Sequence, residues 1–357
     1  MKSWEEKRNS LSAMDDVSSL FSICLVNELP DLIYPNFVSG ESLATRKAFG
    51  ATLDQFAKSL PNLIGGSADL EPSNYTGNFA KVYSDFQVHN QSGRNIAFGV
   101  REFPMAAMMN GMALHGGVIP FGGTFLVFAD YERPALRLGA IQDVRVIHEF
   151  THDSFHVGED GPTHQPIEHA MALRSIPGFN VFRPADARET AVCFRLALEN
   201  KETPSALLLT RQGVPVTNQN YETLEASVRK GAYVIKDCDG APELVFIATG
   251  SEVSLAMETA ENMSDKRVRV ISMPCMEIFN GQDSYYKEKL IPERGCLKIT
   301  LEAGITHGWE KYAGPNGLSV GLDHYGSSAP GKELADEFGF TPVKVEKKIR
   351  THMDMLL

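Results

Sequence analysis

The amino-acid sequence predicts an α/β protein of two domains, each a mostly parallel sheet with helices on both faces. Three observations carry this. The chain has 357 residues and 39.3 kDa, too long for one comfortable core, so two domains of about 100 to 200 residues are expected. Short apolar runs that suit buried strands alternate with helical runs, the pattern of a parallel sheet. Between Thr151 and His169 stands THDSFHVGEDGPTHQPIEH, a stretch dense in imidazoles and carboxylates that follows a strand-like run. The carboxyl end of a strand is where ligands sit in an open α/β sheet.

Taken in order, residues 1–40 read as an arm or linker, with helical periodicity over Val17 to Leu29 stopped by Pro30. Residues 41–215 form the first domain. Ser42 to Leu60 suits a helix that Ser42 could cap. Leu63 and Ile64 begin a strand, and Gly65 to Gly77 reads as a loop. Ile96 to Phe98 suits a brief strand, Phe103 to Leu114 a buried methionine-rich helix, and Val118 to Phe121 a strand closed by Gly122 and Gly123. Phe125 to Leu138 is expected to be a helix and Val144 to Ile147 a strand, with a loop from Val157 to Pro166. Helix at Ile167 to Ser175, strand at Asn180 to Phe182, helix at Ala187 to Glu199 and strand at Ser205 to Leu209 complete the domain. Residues 216–230, polar and thin in apolar side chains, are taken as a linker. Residues 231–357 repeat the α/β pattern, with strands at Leu244 to Ala248, Val268 to Met273 and Leu297 to Leu301 and helices at Val253 to Asn262 and Lys332 to Phe338.

A net charge of -11 argues against nucleic acid as the main partner. The five cysteines are widely spaced with no CxxC pair, which suits a reducing compartment and neither a disulfide framework nor a zinc site. The start MKSWEEKRNS does not read as a signal peptide, and no run reaches the roughly 20 apolar residues of a membrane helix. A cytoplasmic protein with no membrane or nucleic-acid partner is expected, and no metal-ligand set is read in the chain.

Three groups of side chains carry candidate chemistry. Glu102, at the edge of an apolar run, is either an acid whose pKa burial raises or a helix cap. Phe125, Phe128 and Tyr131, spaced along one face of the expected helix, are either core packing with Phe121 or the wall of a pocket for a flat heterocycle. Arg46, Arg183 and Arg211 sit where each could clamp a phosphate, although Arg46 alone also fits a surface ion pair.

The chain also resembles the second half of transketolase. The likeness rests on SLATRKAFG from Ser42, GGSADLEPSN from Gly65, FGVREF from Phe98, GGTFLVFADY from Gly122, THDS from Thr151, GEDGPTHQPIEH from Gly158, RPAD from Arg183 and LLTRQGVP from Leu208. EAG, GWEKY and DHYGSSAPGKEL continue it after residue 301. The resemblance implies a pyrimidine-binding domain followed by the transketolase C-terminal domain, and thiamine diphosphate as cofactor. It implies that the diphosphate, with Mg2+ or Ca2+, is held by a separate diphosphate-binding N-terminal subunit or domain, whose GDG motif is not found here. Glu102 matches the glutamate that meets the pyrimidine ring nitrogen, Phe125, Phe128 and Tyr131 its aromatic pocket, and Asp69 an aspartate beside the cofactor. His152 and His164 match histidines that handle substrate protons, and Asp160 the aspartate that reads the C2 hydroxyl. Arg46, Ser73 and Arg211 match the sugar-phosphate site.

Two departures stand out. Phe103 replaces a usual histidine and is expected to alter a homodimer contact through the pyrimidine domain. Phe155 and His156 replace small residues and are expected to alter the substrate channel. The implied reaction is transfer of a two-carbon ketol unit from a ketose phosphate to an aldose phosphate, by a split subunit or a fragment of a longer enzyme. A non-catalytic subunit with the same fold is one alternative. A 2-oxo acid dehydrogenase β-type subunit is another, disfavoured by Arg46, Asp160, His164 and Arg211.

Overall fold

The computed structural model describes residues 5–6, 9–10, 23–24 and 28–356, so the helical expectation for Val17 to Leu29 falls mostly outside the described residues. The first domain contains β1 (Ser42–Ala44), α1 (Thr45–Phe56), β2 (Leu63–Ser67), α2 (Glu71–Asn74), α3 (Gly77–Tyr83), α4 (Glu102–His115) and β3 (Ile119–Phe125). It continues with α5 (Ala129–Ile141), β4 (Ile147–Thr151), α6 (His169–Arg174), β5 (Asn180–Phe182), α7 (Ala187–Glu199), β6 (Ser205–Leu209) and β7 (Gly213–Pro215). Its five-stranded sheet has the order β2-β3-β4-β6-β5, and every pair is parallel. Strands buried on both faces read as continuous apolar runs, which is why Ser205–Leu209 was visible in the sequence.

After α8 (Tyr221–Val228) come β8 (Tyr233–Lys236), β9 (Leu244–Ala248), α9 (Glu252–Asn262), β10 (Val268–Ser272), α10 (Met276–Asn280) and α11 (Ser284–Leu290). Then follow β11 (Leu297–Leu301), α12 (Glu310–Ala313), β12 (Leu318–Val320), α13 (Gly331–Glu337) and α14 (Pro342–Met355). The second sheet runs β12-β11-β9-β10-β8, parallel except for the antiparallel edge strand β8. Among the described residues no helix is long and apolar enough to cross a membrane.

Several expectations are corrected. Ser42 does not cap a helix, because Ser42–Ala44 pairs antiparallel with Gly213–Pro215. The helix starts at Thr45, whose N–H donates to Thr210 Oγ1 at 2.9 Å, while the Thr210 N–H donates to Thr45 Oγ1 at 2.7 Å. A side chain far away in sequence thus supplies the cap. Gly65 and Gly66 lie in β2, not in a loop. A Cβ there would come within 1.9 Å of the Phe121 carbonyl oxygen and 2.2 Å of that of Ile96. Glycine here permits close packing of neighbouring backbone. Gly122 and Gly123 likewise continue β3 through to Phe125.

Ile96 to Phe98 is not a strand of its own. It runs beside β2, with Ile96 N–H donating to Gly65 O and Phe98 N–H to Ser67 O. The strand expected at Val144 begins instead at Ile147 and carries the ionisable residues His148 and Glu149 into the core. The polar stretch taken as a linker contains α8, anchored by buried Leu224 and Val228. Helix α4 is buried only along Met105, Ala106, Met109 and Asn110, and leaves Phe103, Met108 and Leu114 exposed.

Candidate active site

The candidate site gathers at the carboxyl edge of the first sheet. β4 ends at Thr151, and His152 follows with a left-handed φ of 61°. That backbone costs energy for a residue other than glycine and persists where the surroundings hold it. Here His152 Nδ1 lies 2.8 Å from Thr151 Oγ1, Nε2 lies 3.3 Å from an Arg46 nitrogen, and the ring stacks on Phe125 at 3.7 Å between centroids. A neutral imidazole that donates from Nδ1 to Thr151 and accepts at Nε2 from Arg46 meets both contacts. Burial, helped by the charges of Arg46, Arg211 and His164, pushes the His152 pKa down to about 3.

Arg46 is the second residue of α1. It donates to the Ser73 carbonyl at 3.0 Å, and its guanidinium carbon lies 5.3 Å from the centre of the Tyr75 ring. Ser73 meets Arg46 through its backbone carbonyl. Arg211 stands exposed just past β6, and its positive charge bears on both Arg46 and His152. Burial foremost, with Arg211 adding, lowers the Arg46 pKa. Two guanidinium charges that bear on one imidazole make a place where an anion is favoured.

Phe125, Phe128 and Tyr131 do not share one helix face. Phe125 ends β3, Phe128 closes a single tight turn and Tyr131 lies in α5. They nevertheless form a wall, since the Phe125 and Phe128 rings lie 5.9 Å apart and nearly parallel, and Phe128 and Tyr131 are 6.1 Å apart. Phe121 belongs to the core, edge-on to Phe79. His164 closes the wall, edge-on to Phe128 at 5.7 Å, with Nδ1 2.9 Å from Thr163 Oγ1.

The loop that carries His164 and the exposed Asp160 is seated on the second domain. Gln165 donates to Gly158 O at 2.8 Å and to Ser327 O at 2.9 Å, and the Ser328 hydroxyl donates to Glu159 O. Phe155 is fully buried against Phe338 and Phe340, and His156 abuts Gly331. Phe155 and His156, expected to alter the channel, both pack against the second domain, Phe155 fully buried and His156 half-buried. The expectation for Arg183 is corrected. Fully buried, it is engaged by Asp153, Glu252 and the Thr249 carbonyl, so it cannot clamp a phosphate.

Arg46, Ser73, Phe125, Phe128, Tyr131, His152 and His164 thus form one connected set of contacts, which Arg211 joins through its charge. Asp69, Glu102 and Asp160 stand apart from that set. Asp69 is exposed at the turn after β2 with φ 66°, and Glu102 opens α4 half-buried. Its charge bears on buried Glu132 of α5, the residue after Tyr131.

Sequence reasoning missed a layer of buried ionisable groups behind the site. Burial pushes the Glu149 carboxyl well above the usual range, with Arg46 opposing, and both its oxygens and both Asn74 amide atoms are buried without an aligned hydrogen bond. His148 Nδ1 lies 3.4 Å from Glu132 Oε2, and burial pushes that imidazole down to about 3. An ionisable residue inside a strand-like run was the available signal. Asp130, Glu168 and His169 also converge, which no sequence spacing announced.

Residues 41–217 match the family described as the transketolase pyrimidine binding domain, and residues 231–341 the transketolase-like TK C-terminal domain. A transketolase from Halalkalibacterium halodurans is 45% identical over 347 residues, covering 94% of this chain and 52% of the relative. A transketolase structure from Leishmania mexicana superposes with a TM-score of 0.92 at 41% identity, covering 99% of this chain and 52% of that one. A chain described as split gene transketolase, inactive beta4 tetramer, superposes at 0.70 with 23% identity, covering 87% of this chain and 99% of that one, a likeness of fold alone. The chain spans about half the length of the curated relatives it matches.

Proposed function

The chain belongs to the transketolase family, with that family's pyrimidine-binding and C-terminal domains, and we propose that these two domains form the substrate side of a ketol-transferring enzyme. The reaction moves a two-carbon ketol unit from a ketose phosphate to an aldose phosphate. It needs a diphosphate-binding domain, on this polypeptide or another, to hold the cofactor's diphosphate and its Mg2+ or Ca2+. Thiamine diphosphate, when bound, supplies the carbon nucleophile for making and breaking the carbon–carbon bond.

The residues present fit the pyrimidine half of that cofactor. A flat aminopyrimidine needs stacking faces and one carboxyl at a ring nitrogen. Phe128 and Tyr131 leave ring surface open, with Phe125 behind them, and Glu102 offers a carboxyl at the start of the neighbouring helix. Asp69, exposed at the turn after β2, is assigned beside the cofactor by the resemblance alone.

The single observation that carries the proposal is the joining of Arg46, Ser73, His152 and the aromatic wall in one contact set. Arg46 and Arg211 hold the distal phosphate and turn remote binding into orientation. His152, held neutral with its Nδ1–H on Thr151, offers Nε2 as an acceptor to a substrate hydroxyl without changing charge. His164, half-open to solvent, carries the proton. Asp160 reads the C2 hydroxyl. The exposed apolar side chains Phe103, Met108 and Leu114 of α4 form a homodimer contact. A coupled assay of ketol transfer tests the proposal. Adding the matching diphosphate-binding domain with cofactor and Mg2+ should produce turnover from xylulose 5-phosphate and ribose 5-phosphate. No turnover in the combined sample would favour a non-catalytic subunit instead.

A further inference from the structure

We propose that Asp130, Glu168 and His169 bind a divalent first-row transition-metal ion of the Zn2+ or Mn2+ kind. Asp130 lies in the first turn of α5, while Glu168 and His169 stand at the start of α6, at the end of the loop that carries His164. One ligand atom from each lies within 4.8 Å of the others, and no other trio of His, Cys, Asp or Glu is so placed among the described residues.

The two carboxylates alone would carry no such inference. The second observation is His169, only 6% exposed, whose two ring nitrogens are buried without an aligned hydrogen bond. Nε2 faces Asp130 Oδ2 at 3.2 Å, and Nδ1 faces Glu168 Oε2 at 3.8 Å. Two ligands held about 2.0 to 2.1 Å from one ion in a tetrahedral array lie roughly 3.3 Å apart, so the Nε2–Oδ2 separation is the edge of such a polyhedron. Glu168 completes the trio of ligand atoms that lie within 4.8 Å of one another. Imidazole in the donor set favours a transition metal over Mg2+ or Ca2+. Exposed Asp130 leaves coordination positions open to water.

The geometry is held before any ion arrives. Arg133 of α5 donates to Ala172 O at 2.9 Å and to Ser175 Oγ at 3.3 Å, tying α5 to α6. The ion would staple the helix behind the aromatic wall to the end of the His164 loop, and so stiffen both sides of the candidate site.

The test is calorimetric titration of the purified chain with ZnCl2 and with MnCl2, alongside thermal melting. Asp130→Asn and His169→Gln are the variants, and far-UV circular dichroism checks their folds. The expected result is one saturable ion per chain that raises the melting temperature, weakened about 10-fold or more in each variant and not displaced by equimolar Mg2+. If His169→Gln fails to fold, the exposed Asp130→Asn substitution decides alone. No saturable binding to the wild type would overturn the proposal, as would equal affinity in the folded variants.

Discussion

Replacing Arg183 with Met should loosen both domains at once. The guanidinium is 1% exposed; it donates to Asp153 Oδ2 at 2.9 Å and to Thr249 O at 2.9 Å, also bonds Glu252, and lies 3.8 Å from Glu302 Oε1. Glu302 takes two further bonds of 2.8 Å from Arg174. Two cations and three carboxylates thus share one buried cluster, with Asp153 from the first domain and Glu252 and Glu302 from the second. Without Arg183 three buried carboxylates face one cation. Removing one partner of a buried ion pair costs about 3 to 5 kcal/mol, because the remaining charge stays desolvated. For a protein of this size the melting temperature should fall by on the order of 10 °C. Urea unfolding followed by fluorescence of Trp309, buried and bonded to Glu302, is a suitable assay. Burial already holds the Asp153 carboxyl above its usual pKa, and Arg183 opposes that shift. Loss of Arg183 raises it further, so protonation relieves the variant as pH falls, and the deficit should be smaller at pH 5 than at pH 8. A variant within about 1 kcal/mol of the wild type at pH 7 would refute the reasoning, since desolvation would then balance the attraction.

His148 and His152, both held near pKa 3, should remain neutral in the folded protein from pH 8 to 5 by NMR. Only the unfolded chain then takes these protons, so stability is complete above about pH 6.5 and declines by about 1.4 kcal/mol per pH unit for each imidazole as pH falls toward 3; an imidazole titrating near 6.5 would contradict this. Sedimentation should show a dimer at micromolar concentration and Met108→Glu should shift it toward monomer; a monomeric wild type would remove the interface assigned to α4. In the completed enzyme, Arg211→Ala should raise KM for phosphorylated substrates with little change in kcat, and an unchanged KM would take Arg211 out of the phosphate site.

The parts of the fold legible in the sequence were those where local pattern and tertiary setting agree. Ala187–Glu199 and Ser205–Leu209 are an amphipathic helix and a buried strand by pattern alone. The parts that were not legible depend on distant partners. Thr210 starts α1, the Phe121 carbonyl demands Gly65, and β1 exists only because β7 lies beside it. In the site, motif likeness singled out Arg46, His152 and the aromatic wall, and the structure joins them. It could not show that Ser73 meets Arg46 through its carbonyl, that Arg183 is spent between domains, or that Phe155 and His156 face the second domain. Those facts depend on side-chain direction, which spacing along the chain does not encode. The buried Glu132, His148 and Glu149 ran against the strand and helix patterns and were passed over for that reason.

The central claim is that Glu102 supplies the carboxyl that meets the cofactor's pyrimidine. The most direct measurement compares initial rates of ketol transfer by the wild type and by Glu102→Gln, each completed with the diphosphate-binding domain, thiamine diphosphate and Mg2+. The amide keeps the size of the side chain but cannot share an acidic proton, so a loss of at least about 100-fold in kcat is expected, within the range for removing a general acid–base group, with the dimer and the fold intact. A Glu102→Gln enzyme as fast as the wild type would contradict the assignment.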